Sequence, residues 1–187
     1  MSIKIYIDQG HNPVNPNAGA EGNGLREQDL VYTIGQRLAD LLRANPDYEV
    51  RLSRPTRDTQ LGTSNASSLA ARVNEANRWD ADYFISLHTN AASSPSATGS
   101  EAYVYSRSSR AFGFAQDILT NLTSVTGLRN RGVQPRPGLY VLRKTQMPAT
   151  LLELGFITNP EDAALMRDNP GLFAEGIYQG IREYTNV

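Results

Sequence analysis

The sequence predicts an α/β fold: a three-layer sandwich in which a twisted, mostly parallel sheet of about six strands is flanked by helices. Three observations lead there. Short β-rich runs alternate with longer segments of helical period, the pattern of strand–helix units that build a parallel sheet. Both histidines fall where such a run gives way to a polar loop, as expected where sites form at the carboxyl ends of strands. The chain has 187 residues, which suits a single domain, 1–187, with a sizeable core.

The elements follow in order. Ile3, Ile5 and Ile7 alternate with Lys4 and Tyr6 in a first strand, which ends at Asp8-Gln9-Gly10-His11. Gly10 is expected to let the backbone turn sharply, so that His11 emerges at the strand's end. Residues 12–24 form a loop rich in Gly, Pro and Asn. Leu30, Ile34, Leu38 and Leu41 then recur at helical spacing, with Glu27 in the first turn. A second strand covers 48–54. Ser68 is expected to cap a helix running to Trp79, with Leu69, Val73 and Ala76 inward and Arg72 beside that stripe. Residues 82–88 are a third strand ending in His88, and 102–105 a fourth. A helix over 109–126 turns Phe112, Ala115, Ile118, Leu119 and Leu122 inward and is closed by Gly127. The basic, proline-broken stretch 129–138 reads as a loop. Leu139-Tyr140-Val141-Leu142 reads as a fifth strand and 149–154 as a sixth. Asn159-Pro160-Glu161-Asp162 has the composition of a helix start, and a last helix covers 172–184, burying Phe173, Ile177 and Ile181.

Composition narrows the function. The net charge of −1 gives no broad attraction to nucleic acid or to a membrane surface. No run of about 18 apolar residues is present, so no membrane insertion is expected. No basic segment followed by an apolar stretch opens the sequence, so no signal peptide is expected. Cysteine is absent, which removes disulfides, cysteine nucleophiles and thiolate zinc sites together.

One residue organises the rest. Glu153 is an acid inside the apolar run 151–156, where an unpaired charge costs several kcal/mol. Either it has a partner, a surface arginine for example, or it stands at a strand's end in a site. Glu27, at a helix start, either complements the helix dipole or serves a site. With His11 and His88 it makes the two-imidazole, one-carboxylate set of a hydrolytic zinc centre. Neither a short HExxH motif nor a tight His-x-x-Glu pair is present. The residues themselves therefore reach as far as a zinc hydrolase.

Read together, several segments carry a resemblance. They are Asp8-Gln9-Gly10-His11, Gly24-Leu25-Arg26-Glu27, residues 69–77, Ser86-Leu87-His88-Thr89-Asn90, Arg131-Gly132-Val133 and Met147 to Pro160. In this order they are similar to the zinc-dependent N-acetylmuramoyl-L-alanine amidases, across essentially the whole chain. The resemblance implies a phosphorylase/hydrolase-like sheet of about six strands. It places a single zinc ion on His11, Glu27 and His88, and the catalytic glutamate on Glu153. The substrate it implies is peptidoglycan, cut between the lactyl group of N-acetylmuramic acid and L-alanine of the stem peptide. Action at the bacterial cell wall follows, by a monomer, with phage-type release and an excised catalytic domain both open. Glu153 must reach a water, so it is expected to stand outside the metal ligands. Asn90 and Arg72 are candidate supporting or substrate residues, with plain loop or helix packing as the alternative for each.

Departures from the family pattern bear on access. The first motif often continues Gly-Gly after the histidine; here Asn12-Pro13-Val14-Asn15 follows. Some relatives insert a helix after the second histidine that plugs the site. Residues 91–100 leave no room for one, so an open site is expected. Two rivals remain. A carboxypeptidase-like zinc enzyme would need a cation for a terminal carboxylate, and Arg129, Arg131 or Arg136 could serve. A non-catalytic wall-binding module would keep the fold and lose a ligand or Glu153, yet all four are present.

Overall fold

The computed structural model describes residues 2–187. Six strands form one sheet in the order β4-β1-β5-β8-β6-β7. β1 (Ile3–Gln9), β4 (Tyr48–Leu52), β5 (Tyr83–Asn90) and β8 (Ala149–Phe156) run parallel. β6 (Ser100–Val104) runs antiparallel to β8, and β7 (Asn130–Pro135) follows β6 in parallel. The sheet is thus mostly parallel, as the alternating pattern predicts. A two-stranded hairpin, β2 (Glu21–Gly22) and β3 (Leu25–Arg26), lies within the loop that follows β1.

Helices cover both faces. On one side α1 (Glu27–Arg43), α3 (Ala111–Thr126) and α6 (Pro170–Thr185) bury Ile34, Leu38, Phe114, Ile118, Phe173 and Ile177 against Ile5, Ile7, Leu87 and Leu152 of the sheet. On the other, α2 (Asn65–Trp79) and the short α4 (Tyr140–Lys144) pack Val73, Ala76, Val141 and Leu142 onto Tyr6, Phe84 and Leu151. Strands with apolar residues on both faces are what a doubly covered sheet requires. α5 (Pro160–Asp168) follows β8, started by Asn159, whose side chain accepts from the Glu161 and Asp162 amides.

The structure corrects several expectations. Residues 139–142 are not a strand. A short apolar run does not distinguish strand from helix, and here it begins α4, which buries Val141 and Leu142. The sixth strand comes instead from 130–135, inside the stretch read as a loop. It is an edge strand, where Pro135 removes no ladder bond that matters and Gly132 takes φ 89°. Helix α2 is capped by Ser64, not Ser68. Ser64 and Ser67 exchange side-chain and backbone bonds in a capping box, while buried Ser68 accepts from the Asn17 side chain. On α1 the deepest last-turn leucine is Leu42 rather than Leu41, and on α3 Phe114 rather than Phe112.

Candidate metal centre and active site

The first ligand candidate comes from an unusual piece of backbone. The sharp turn after β1 is made by His11 itself, at φ 66°, and not by Gly10. Gly10 is required for another reason. A Cβ there would lie 2.5 Å from the His88 ring and 2.6 Å from the Leu87 carbonyl. The absence of a side chain at position 10 lets β1 and β5 bring the two imidazoles together, with centroids 4.8 Å apart. Gly19 does the same on the loop side, where a Cβ would fall 2.8 Å from Glu27 Oε2 and 2.9 Å from the His11 ring.

Arg72 holds this turn in place. It is buried, and its guanidinium donates to Asp8 Oδ1 and to the Gln9 and His11 carbonyls, each at 2.6 Å. Ser86 donates to the other Asp8 oxygen at 2.7 Å. Burial alone would raise the Asp8 carboxyl; the Arg72 charge and the Ser86 bond outweigh it and hold the group below its usual value. Arg72 therefore acts on the backbone of His11 and reaches the ligand cluster only through it.

Glu27 sits between the histidines. Its Oε2 lies 3.2 Å from His11 Nε2 and its Oε1 3.0 Å from His88 Nδ1. The Ala20 and Thr89 amides donate to the same two oxygens, each at 2.9 Å. Burial disfavours the charge, but the contacts with His11 and His88 hold the carboxyl well below the usual range. Among the described residues, His11, Glu27 and His88 form a group whose donor atoms all lie within 4.8 Å of one another. Tetrahedral zinc with bonds of about 2.0–2.1 Å separates its ligand atoms by about 3.3 Å, close to the two spacings here. A nitrogen and oxygen donor set without thiolate fits the same ion. Both histidine side chains keep about a fifth of their surface accessible (20% and 19%), and no helix forms between β5 and β6 to cover them.

Glu153 stands beside this group and outside it. It is the register partner of His88 across β5 and β8, so both side chains project from one face of the sheet. Its Oε2 is buried without a hydrogen-bond partner. Burial, then the Glu27 and Glu101 charges, push its carboxyl up to about 8. No surface arginine pairs with it among the described residues. Asn90, at the end of β5, donates to Glu101 Oε1 at 2.6 Å.

The family's sequence model, described as N-acetylmuramoyl-L-alanine amidase (Amidase_3), matches residues 5–183. The chain belongs to the N-acetylmuramoyl-L-alanine amidase family. It is 36% identical over 180 residues to the N-acetylmuramoyl-L-alanine amidase CwlM of Bacillus licheniformis, covering 95% of this chain and 65% of that protein. It is 33% identical to the endolysin of Bacillus phage SPP1, covering all of this chain and 68% of the endolysin. The chain thus spans about two thirds of these relatives. The catalytic domain of the amidase CwlV from Bacillus (Paenibacillus) polymyxa var. colistinus superposes with a TM-score of 0.86 at 32% identity, over 99% of each chain. The fold is that of the amidases.

Glu101 was missed by sequence reasoning. It lies directly opposite Glu153 on β6. The expected fourth strand began one residue later, and an acid at a strand's polar position carries no signal until its neighbouring strand is known.

Proposed function

We propose that this chain hydrolyses, with zinc, the amide joining the lactyl group of N-acetylmuramic acid to L-alanine in peptidoglycan. We propose further that it does so as a monomeric single domain acting at the bacterial cell wall. The observation that carries this is the row formed by the His11–Glu27–His88 cluster and an unpartnered Glu153, in a chain of the amidase family.

A zinc ion held by His11, Glu27 and His88 would polarise the amide carbonyl and acidify a water. The chain supplies the rest. The Ala20 and Thr89 amides fix the orientation of Glu27, so this part of the ligand set is organised in advance. Glu153 takes a proton from the attacking water as the carbon–oxygen bond forms. It delivers that proton to the amide nitrogen as the carbon–nitrogen bond breaks. A carboxyl without a competing hydrogen bond, standing in register beside His88, suits both transfers. No membrane-crossing helix is found among the described residues.

The test is release of L-alanine amino termini from purified peptidoglycan by wild type, by Glu153→Ala and by chelator-treated protein given zinc back. The expected outcome is release by wild type and by the restored protein alone. Undiminished cleavage by Glu153→Ala would remove Glu153 from the proton relay. Cleavage of a plain C-terminal peptide in place of the muramoyl amide would favour the carboxypeptidase-like chemistry. Wall binding with no cleavage by any form would make the chain a binding module.

A further inference from the structure

Three acidic or ligand side chains lie in one row across the sheet. His88 on β5 is in register with Glu153 on β8, which is in register with Glu101 on β6. Partners in register project from the same face, with neighbouring strands about 4.8 Å apart. The metal cluster is therefore on one side of Glu153 and Glu101 on the other.

Glu101 is set up unlike an ordinary surface acid. Only 13% of its side chain is accessible. Asn90 and Tyr103 both donate to its Oε1, at 2.6 and 2.9 Å. Its Oε2 lies 3.6 Å from Arg131 Nε, beyond good hydrogen-bond length. One oxygen is anchored and the other is presented. Placing a second carboxylate opposite Glu153 is destabilising in itself, since like charges directly across strands repel. Two hydrogen-bond donors and the more distant Arg131 are nonetheless assembled around it.

We propose that Glu101 receives the amino group released from the substrate's L-alanine. This rests on the amidase reading above. The carbonyl and the attacking water lie on the His88 side of Glu153, and the scissile nitrogen must reach Glu153 itself to take its proton. The alanine attached to that nitrogen leaves on the far side, where Glu101 is the next charged group. In the reaction the carbon–nitrogen bond breaks and a carbon–oxygen bond to the water's oxygen forms. The lactyl carboxylic acid then loses one proton and the amine gains one. A neutral amide thus yields a carboxylate and an alkylammonium, and Glu101 Oε2 accepts from the ammonium in competition with Arg131.

The probes are L-alaninamide, which carries the released ammonium, and N-acetyl-L-alaninamide, which does not. Their binding to zinc-loaded wild type, Glu101→Gln and Arg131→Gln is followed by NMR titration, with peptidoglycan cleavage measured in parallel. Wild type should bind L-alaninamide at least tenfold more tightly than the acetylated probe. Glu101→Gln, which can still accept from Asn90 and Tyr103, should lose fivefold or more of that affinity. Arg131→Gln should gain about twofold to fivefold, because a competitor is gone. Direct ligation of the amine to a metal would survive Glu101→Gln, and unchanged binding in that variant overturns the proposal. So does equal binding of the two probes. Either result with cleavage intact leaves the amidase reading standing, whereas absence of cleavage by wild type overturns that reading and this proposal with it.

Discussion

Replacing Glu153 with Gln should stabilise the metal-free protein while removing its activity. In the fold the carboxyl is pushed from its usual 4.5 up to about 8, so the folded chain keeps a proton that the unfolded chain gives up. The sign follows from linkage: stability is full below pH 4.5 and is lost as pH rises towards 8. Each pH unit in that window costs about 1.4 kcal/mol, giving an upper figure of about 3.4 kcal/mol at pH 7. Solvent reaching the partly exposed carboxyl lowers this to about 2 kcal/mol. Glutamine has the same shape and no charge to bury. For a chain of this size, about 2 kcal/mol raises the midpoint by about 4–8 °C. Thermal melts in chelator at pH 4.5 and pH 8 decide it. The two proteins should melt together at the lower pH and separate at the higher, with the variant above, and cleavage should fall by about 10²–10⁴-fold. A variant that melts at or below wild type at pH 8 would refute the argument that Glu153 is held without a partner.

Other expectations follow from the same geometry. Arg72→Met strands the Asp8 carboxylate and should cost about 3–5 kcal/mol. The double variant Asp8→Asn/Arg72→Met should recover most of that loss in denaturant melts, and a simple sum of the two single effects would contradict a shared buried pair. Gly10→Ala drives a Cβ into the His88 ring and should lower zinc affinity about 10–100-fold by calorimetric titration, so wild-type affinity would show that the β1–β5 approach has slack. Asp162→Ala removes the acceptor of the Gly99 and Phe156 amides and the Thr98 hydroxyl. It should destabilise by about 2–3 kcal/mol and increase proteolysis between β5 and β6, measurable by limited digestion.

The sequence made some of this legible and hid the rest for physical reasons. Glu153 was visible because a lone acid in an apolar run needs an explanation. His11 and His88 were visible because strand ends and polar loops mark them. The cap at Asn159 and the buried stripe of α6 were equally plain, since they depend on local spacing. Long-range pairing was not. The partner of Arg72 is Asp8, 64 residues away, and nothing between them announces it. Glu101 acquires meaning only because β6 inserts beside β8, which strand spacing cannot show. Strand β7 was concealed by Gly132 and Pro135, residues that an edge tolerates. Helix α4 was concealed by an apolar run too short to declare its period.

The register of β5 with β8 also bears on when the proposed activity becomes available. His88 and Glu153 meet only after a parallel pairing closes over the whole stretch between them, and His88 finds Glu27 across 61 residues. Non-local parallel pairing comes late and slowly in folding. β8 is also the last of this sheet's strands in chain order. A chain that holds α1 and α2 without the β5–β8 pairing keeps His88 and Glu153 apart. On the proposed reading, cutting power would come only with the completed sheet, so that synthesis is separated in time from potency.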